Sequence, residues 1–127
     1  DANTAPNERH IPPEKRSQFI DRIRLSGAVG KAEVTALVDD NESYSLAFEI
    51  ADALRDAGWS VTGPNRSIFS GPPVRGVILT VRDAHAIPPG TTELLHALEW
   101  VGIEPTKAED DRLAVSGVSI VVGSLPQ

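Results

Sequence analysis

The sequence predicts an α/β fold: a three-layer sandwich with a mixed, mostly parallel sheet, built from two βαβ repeats plus an N-terminal helix. Three observations predict it. Residues 33–59 reappear faintly and without a gap 44 positions later, so that Asp39 matches Asp83, Glu49 matches Glu93 and Gly58 matches Gly102. Each copy reads as strand, acidic loop, amphipathic helix, glycine stop and new strand. Strands alternating with helices favour right-handed crossovers between parallel neighbours. A two-layer ferredoxin-like sheet is the competing arrangement, because two strand–helix–strand copies also build it. The extra N-terminal helix and the long middle connection favour three layers.

Residues 1–12 are polar and patternless and read as a disordered linker, leaving 13–127 as a single α/β domain. Pro12-Pro13-Glu14 opens a helix, with proline in its first turn and an acid at its positive dipole end. Phe19, Ile20 and Ile23 form its apolar stripe before Ser26-Gly27 stops it.

Glu33 to Val38 is a short apolar run suited to a buried strand. Asp39 to Ser43 supplies turn and capping residues, and a helix follows with Ala47, Ile50, Ala51 and Leu54 on one face. Gly58 is placed to take the left-handed conformation that ends a helix, and Trp59-Ser60-Val61 begins a strand. Residues 62–73, with Gly63-Pro64-Asn65 and Ser70-Gly71-Pro72-Pro73, read as a surface connection.

Gly76 to Val81 is the next strand. Pro88-Pro89-Gly90 introduces a helix with Leu94, Leu95, Leu98 and Val101 on its buried side, and Gly102 ends it. Ile103 to Lys107 is expected as a short strand and Val118 to Val122 as the last. Trp100, on the flank of the third helix, is expected to pack under a loop or against the last strand, or else to mark a partner surface.

Composition narrows the function. The chain has 127 residues, enough to bury a core without disulfides or metal, and it contains no cysteine. That removes a disulfide framework, a thiolate nucleophile and a cysteine zinc site. The net charge of −6 opposes nucleic-acid binding, which needs a basic face against phosphates. No apolar run is long enough to cross a bilayer. The chain opens at Asp1 and has no methionine, so it is expected to be a trimmed piece of a longer protein, and the part removed could include a targeting or membrane segment.

In an open parallel sheet, ligands sit beyond the carboxyl ends of the strands. Asp39, Asp40 and Glu42 follow the first strand, and Asp83 and His85 follow the matching strand of the second copy. Neighbouring strands would bring these five together as a ligand-binding crevice, where crowded carboxylates need a proton or a hard cation such as Mg²⁺ between them. The plainer reading is that these acids cap helices and solvate loops. The histidines His10, His85 and His96 lack metal-ligand spacing. Gly27-Ala28-Val29-Gly30-Lys31 precedes a strand instead of following one, so it reads as a turn and not a phosphate loop.

Ala36-Leu37-Val38-Asp39-Asp40-Asn41-Glu42 resembles the opening of a two-component receiver domain. That resemblance implies Mg²⁺ on Asp39 and Asp40 and a phosphoryl group on Asp83. Leu125 stands where receivers carry lysine before a proline.

A second resemblance covers nearly the whole chain. Its marks are the Pro13-Glu14-Lys15-Arg16 helix start, Ala51-Asp52-Ala53-Leu54-Arg55-Asp56-Ala57-Gly58-Trp59, Gly76 to Val81, Leu95-His96-Ala97-Leu98 with Gly102-Ile103, and Val121-Val122-Gly123. The series is similar to the soluble domain of small bacterial membrane-anchored proteins of no assigned activity. It implies an anchor upstream, and so membrane localisation in the full-length protein.

No complete catalytic set is present, so neither an enzyme nor a cofactor is expected. The reading is a non-catalytic binding or assembly domain with a protein or small-molecule partner. The alternative is a receiver-like phosphoryl- or Mg-binding domain.

Overall fold

Five strands and three helices follow one another in the order the apolar runs demand. The computed structural model describes residues 8–25, 27–113 and 117–125. One 3₁₀ turn, Pro13–Lys15, leads into helix α1 (Arg16–Ile23). Strand β1 (Lys31–Leu37), helix α2 (Asn41–Asp56) and strand β2 (Ser60–Ser67) form one unit. Strand β3 (Val77–Val81), helix α3 (Thr91–Trp100) and strand β4 (Thr106–Glu109) form another, and β5 (Val118–Val122) closes the chain.

The sheet order is β2-β1-β5-β3-β4. β1 pairs in parallel with β2 and β5, β3 pairs in parallel with β4, and only the β3–β5 pair is antiparallel. The sheet is therefore mixed and mostly parallel, as expected. Each strand–helix–strand unit lies to one side of β5.

Alternation builds the core. Ala32, Val34 and Ala36 of β1, Val77, Leu79 and Val81 of β3, and Val118, Ile120 and Val122 of β5 are buried. Against them lie Leu46, Ile50 and Leu54 of α2 and Leu94 and Leu98 of α3, with Phe19 and Ile23 of α1 fully buried as well. Helix α1 touches both α2 and α3.

Both long helices end alike. Gly58 and Gly102 adopt φ of 92° and 88°. The next residue's N–H returns to a helix carbonyl, Trp59 to Leu54 and Ile103 to Leu98, each at 2.9 Å. This is the Schellman ending, which satisfies carbonyls that the helix leaves unpaired.

Four expectations change. β2 runs through Gly63-Pro64 to Ser67, beyond the expected turn at residue 62. β2 is an edge strand, where proline's missing N–H costs no ladder bond. Gly63 and Pro64 together oppose Val34 in a bulge, because Glu33 pairs with Thr62 and Thr35 with Asn65. β4 begins at Thr106 and ends at Glu109, later than the expected Ile103 to Lys107.

Of the expected linker, residues 1–7 lie outside the described residues, while the next few are held. Ile11 is buried, and Arg9 and His10 bond to α2. Trp100 packs against α1, with the Arg22 guanidinium 4.2 Å and the Lys15 ammonium 5.2 Å from its ring. Lys15, at the end of the 3₁₀ turn, and Arg22, on α1, are both drawn to the negative face of the ring.

Candidate functional site

The carboxyl end of β1 carries Asp39, Asp40 and Glu42, and two of the three have structural partners. Asp40 is the N-cap of α2: its Oδ1 accepts the Ser43 N–H at 3.0 Å. Ser43 Oγ donates back to the Asp40 carbonyl at 3.0 Å and accepts the Leu37 N–H at 3.3 Å, which ties strand end to helix start. Glu42 accepts two side-chain hydrogen bonds from Arg9, from Nε at 3.0 Å and Nη2 at 2.6 Å, and a third from the Arg9 backbone N–H at 2.9 Å. Burial pushes the Glu42 carboxyl up, but the Arg9 hydrogen bonds and charge outweigh it and hold the group below its ordinary value. Asp39 is exposed.

Asp83 and His85 lie elsewhere. β3 runs antiparallel to β5, which itself runs parallel to β1. Val77 therefore shares a level with Val122 and Ala36, and the chain beyond Val81 leaves by the end where β1 enters. The expected crevice of Asp39, Asp40, Glu42, Asp83 and His85 does not form: the two groups sit at opposite ends of the sheet. The reason is β5, last in sequence, which inserts between β1 and β3. Among the described residues, no three His, Asp or Glu side chains are grouped to hold a metal ion.

At its own end, Asp83 Oδ1 accepts the His85 N–H at 2.9 Å, forming a local turn. Glu109 Oε2 accepts the Ala84 N–H at 2.7 Å and so fixes the start of the β3–α3 loop to β4. Arg82 donates to the Leu113 carbonyl from Nε at 2.8 Å and from Nη2 at 2.5 Å. The Arg112 N–H, then its guanidinium, holds the exposed Asp110 carboxyl below its ordinary range.

A groove of about 530 Å³ lies between α3 and the β3–β4 pair. Leu79 and Val81 of β3 line it with Leu95 of α3 and Ile87 of the preceding loop; its polar groups include Thr92, His96, Lys107 and Glu109. Leu95 is half-buried and Ile87 is 49% exposed, so both apolar side chains still face solvent. This combination of apolar walls and a few polar groups is what a small-ligand site requires. The sequence signal for it is the Leu94-Leu95 doublet. Adjacent positions on a helix diverge by about 100°, so Leu95 is turned away from the stripe that Leu94 buries.

No protein-family model, curated protein or solved structure matches this chain. The β1 end supplies helix capping and an ion pair, the β3 end supplies turn-forming acids, and the α3 groove supplies an apolar surface with hydrogen-bonding groups beside it.

Proposed function

We propose that this chain is the non-catalytic binding domain of a bacterial membrane-anchored protein, and that its ligand enters the groove between α3 and the β3–β4 pair. The observation that carries the reading is the groove itself. Its volume of about 530 Å³ falls in the range of small-molecule sites, and its lining is apolar with a polar side. The ligand this chemistry suits has an apolar body and a polar end within reach of His96, Lys107 or Thr92. The structural work done by Asp40 and Glu42 supports the non-catalytic part, since neither carboxylate is left for proton transfer or a metal. The net charge of −6 argues for a partner other than nucleic acid. Membrane attachment rests on the resemblance described above. No described helix is long and apolar enough to cross a bilayer, so an anchor would have to lie elsewhere in the full-length protein.

The test uses an anilinonaphthalene sulfonate dye, an apolar ring system with an anionic end. Titrated into labelled protein, it is expected to shift the amide resonances of Leu95, His96 and Lys107. Ile87→Ser is expected to weaken that binding by about tenfold, as the loss of a half-exposed apolar side chain implies, with an unchanged circular dichroism spectrum. Shifts confined to residues away from α3, or none at all, would remove the groove as the site. Fractionation of the full-length gene product tests the anchor separately.

A further inference from the structure

The sheet has two edges, β2 and β4, and the chain treats them differently. Along β2, the Arg55 guanidinium takes the Val61 and Gly63 carbonyls at 3.2 and 2.5 Å, Pro64 has no N–H to offer, and a bulge interrupts the ladder. Those devices block addition of another strand. β4 has no arginine on its carbonyls, no proline within it and no bulge; it is instead short and charged, with Lys107 and Glu109 among its four residues. The Val81 carbonyl accepts the Asp110 N–H at 2.9 Å, so in this parallel register Thr106, Ala108 and Asp110 turn their backbone groups towards β3. The N–H and C=O groups of Lys107 and Glu109 therefore point away from the sheet, and no hydrogen bond to them is found among the described residues.

We propose that β4 pairs antiparallel with β4 of a second copy of this chain, across a twofold axis at Ala108. Only outward-facing residues can form the hydrogen-bonded pairs of such a ladder, which restricts the register. Setting Lys107 opposite Lys107, or Glu109 opposite Glu109, makes one bonded pair with like charges together. Setting Lys107 opposite Glu109 makes two bonded pairs, uses every free backbone group on both copies and puts opposite charges face to face. Cross-strand charge pairs favour this register, and like charges disfavour the others. Ala108 meets Ala108 at the close, non-bonded position on the axis, where a small side chain fits.

The side chains agree with the backbone. Lys107 and Glu109 share one face of the sheet with their register partners Leu79 and Val81, so both ion pairs form on that face. Glu109 uses Oε2 for the Ala84 N–H, leaving Oε1 for the incoming lysine. Such a short ladder makes a weak, concentration-dependent dimer. Lys107 and Glu109 also line the α3 groove, but the ladder's hydrogen bonds come from backbone groups at the sheet edge, and its test needs no groove ligand.

Sedimentation velocity from micromolar to millimolar chain is the test. The weight-average mass is expected to rise from 13.6 kDa towards twice that value. Lys107→Glu alone or Glu109→Lys alone brings like charges together in both pairs and is expected to weaken association by at least about tenfold. Mixing the two single variants returns opposite charges to both pairs and is expected to restore it. Lys107→Pro removes an outward N–H without touching a β3 bond, and is expected to give a folded monomer. It keeps the test decisive should Glu109→Lys disturb the Ala84 contact. A chain that stays monomeric at millimolar concentration, or a dimer indifferent to these substitutions, would overturn the proposal.

Discussion

Arg9 grips Glu42 through its guanidinium Nε and Nη2, and Nη2 also donates to the Gly123 carbonyl at 2.7 Å. The two side chains are only 12% and 15% exposed. One contact thus joins the segment before α1, the start of α2 and the end of β5. Removing one partner leaves the other's charge half-desolvated, so Arg9→Ala is expected to cost about 3 kcal/mol in urea unfolding, and Glu42→Gln less, because the amide still accepts a bond. The pH dependence follows from the depressed Glu42 pKa. The stability it contributes is present above the ordinary carboxyl range and is lost as pH falls through the folded value. Urea midpoints measured across acid pH are expected to fall less steeply for Glu42→Gln than for the parent chain.

His10 answers in the opposite direction. Its Nδ1 lies 2.8 Å from Glu49 Oε2, and the hydrogen bond to Glu49, opposed by slight desolvation, raises its pKa above 6.5. The charged form is therefore favoured in the folded chain. Its contribution is complete below the ordinary histidine value and is lost as pH rises through the folded one. The same carboxylate accepts the Ile11 N–H at 2.7 Å. The protection factor of the Ile11 amide, its exchange measured against the base-catalysed rate of an unfolded peptide, is expected to fall between neutral and mildly alkaline pH, and His10→Gln is expected to remove that fall. An NMR titration of the ring gives the midpoint.

Asp39 and Asp40 are adjacent acids with different jobs. Asp40 caps α2 through the Ser43 N–H, whereas Asp39 is exposed with no hydrogen bond among the described residues. Asp40→Ala is expected to cost about 1 kcal/mol, and Asp39→Ala to stay within about 0.5 kcal/mol of the parent chain. Thermal unfolding of the two variants side by side measures the difference. Equal losses would mean that Asp39 has a role the capping geometry does not supply.

How much was legible in the sequence follows from which contacts are local. Val34, Leu79 and Ile120 sit in apolar runs short enough to be strands, and the glycine stops at 58 and 102 bound the long helices, so the elements could be read in order. Strand order depends on pairings across the whole chain. Nothing near Val118 to Val122 says that this strand enters between β1 and β3, and its insertion separates Asp39 from Asp83. Pro64 reads as a strand breaker because edge position is not a local property. The α3 groove is not legible in the sequence because Leu95 looks like one more buried leucine, although it is Leu94 that fills the core.

Gly63 and Gly58 both have positive φ, 106° and 92°, yet their substitutions are expected to differ sharply. At Gly58 a Cβ would meet nothing within 4 Å, so Gly58→Ala costs only the left-handed backbone penalty of about 1–2 kcal/mol. At Gly63 a Cβ would collide with the Val34 carbonyl oxygen, a backbone atom in the second strand of the sheet. It cannot move aside without breaking the β1–β2 ladder at the bulge. Gly63→Ala is therefore expected to destabilise the chain by at least about 2 kcal/mol more than Gly58→Ala, since overpacking against a fixed neighbour adds to the same strain. Urea unfolding of the pair measures it. Amide exchange along β2 should separate them as well, with protection lost in Gly63→Ala and retained in Gly58→Ala.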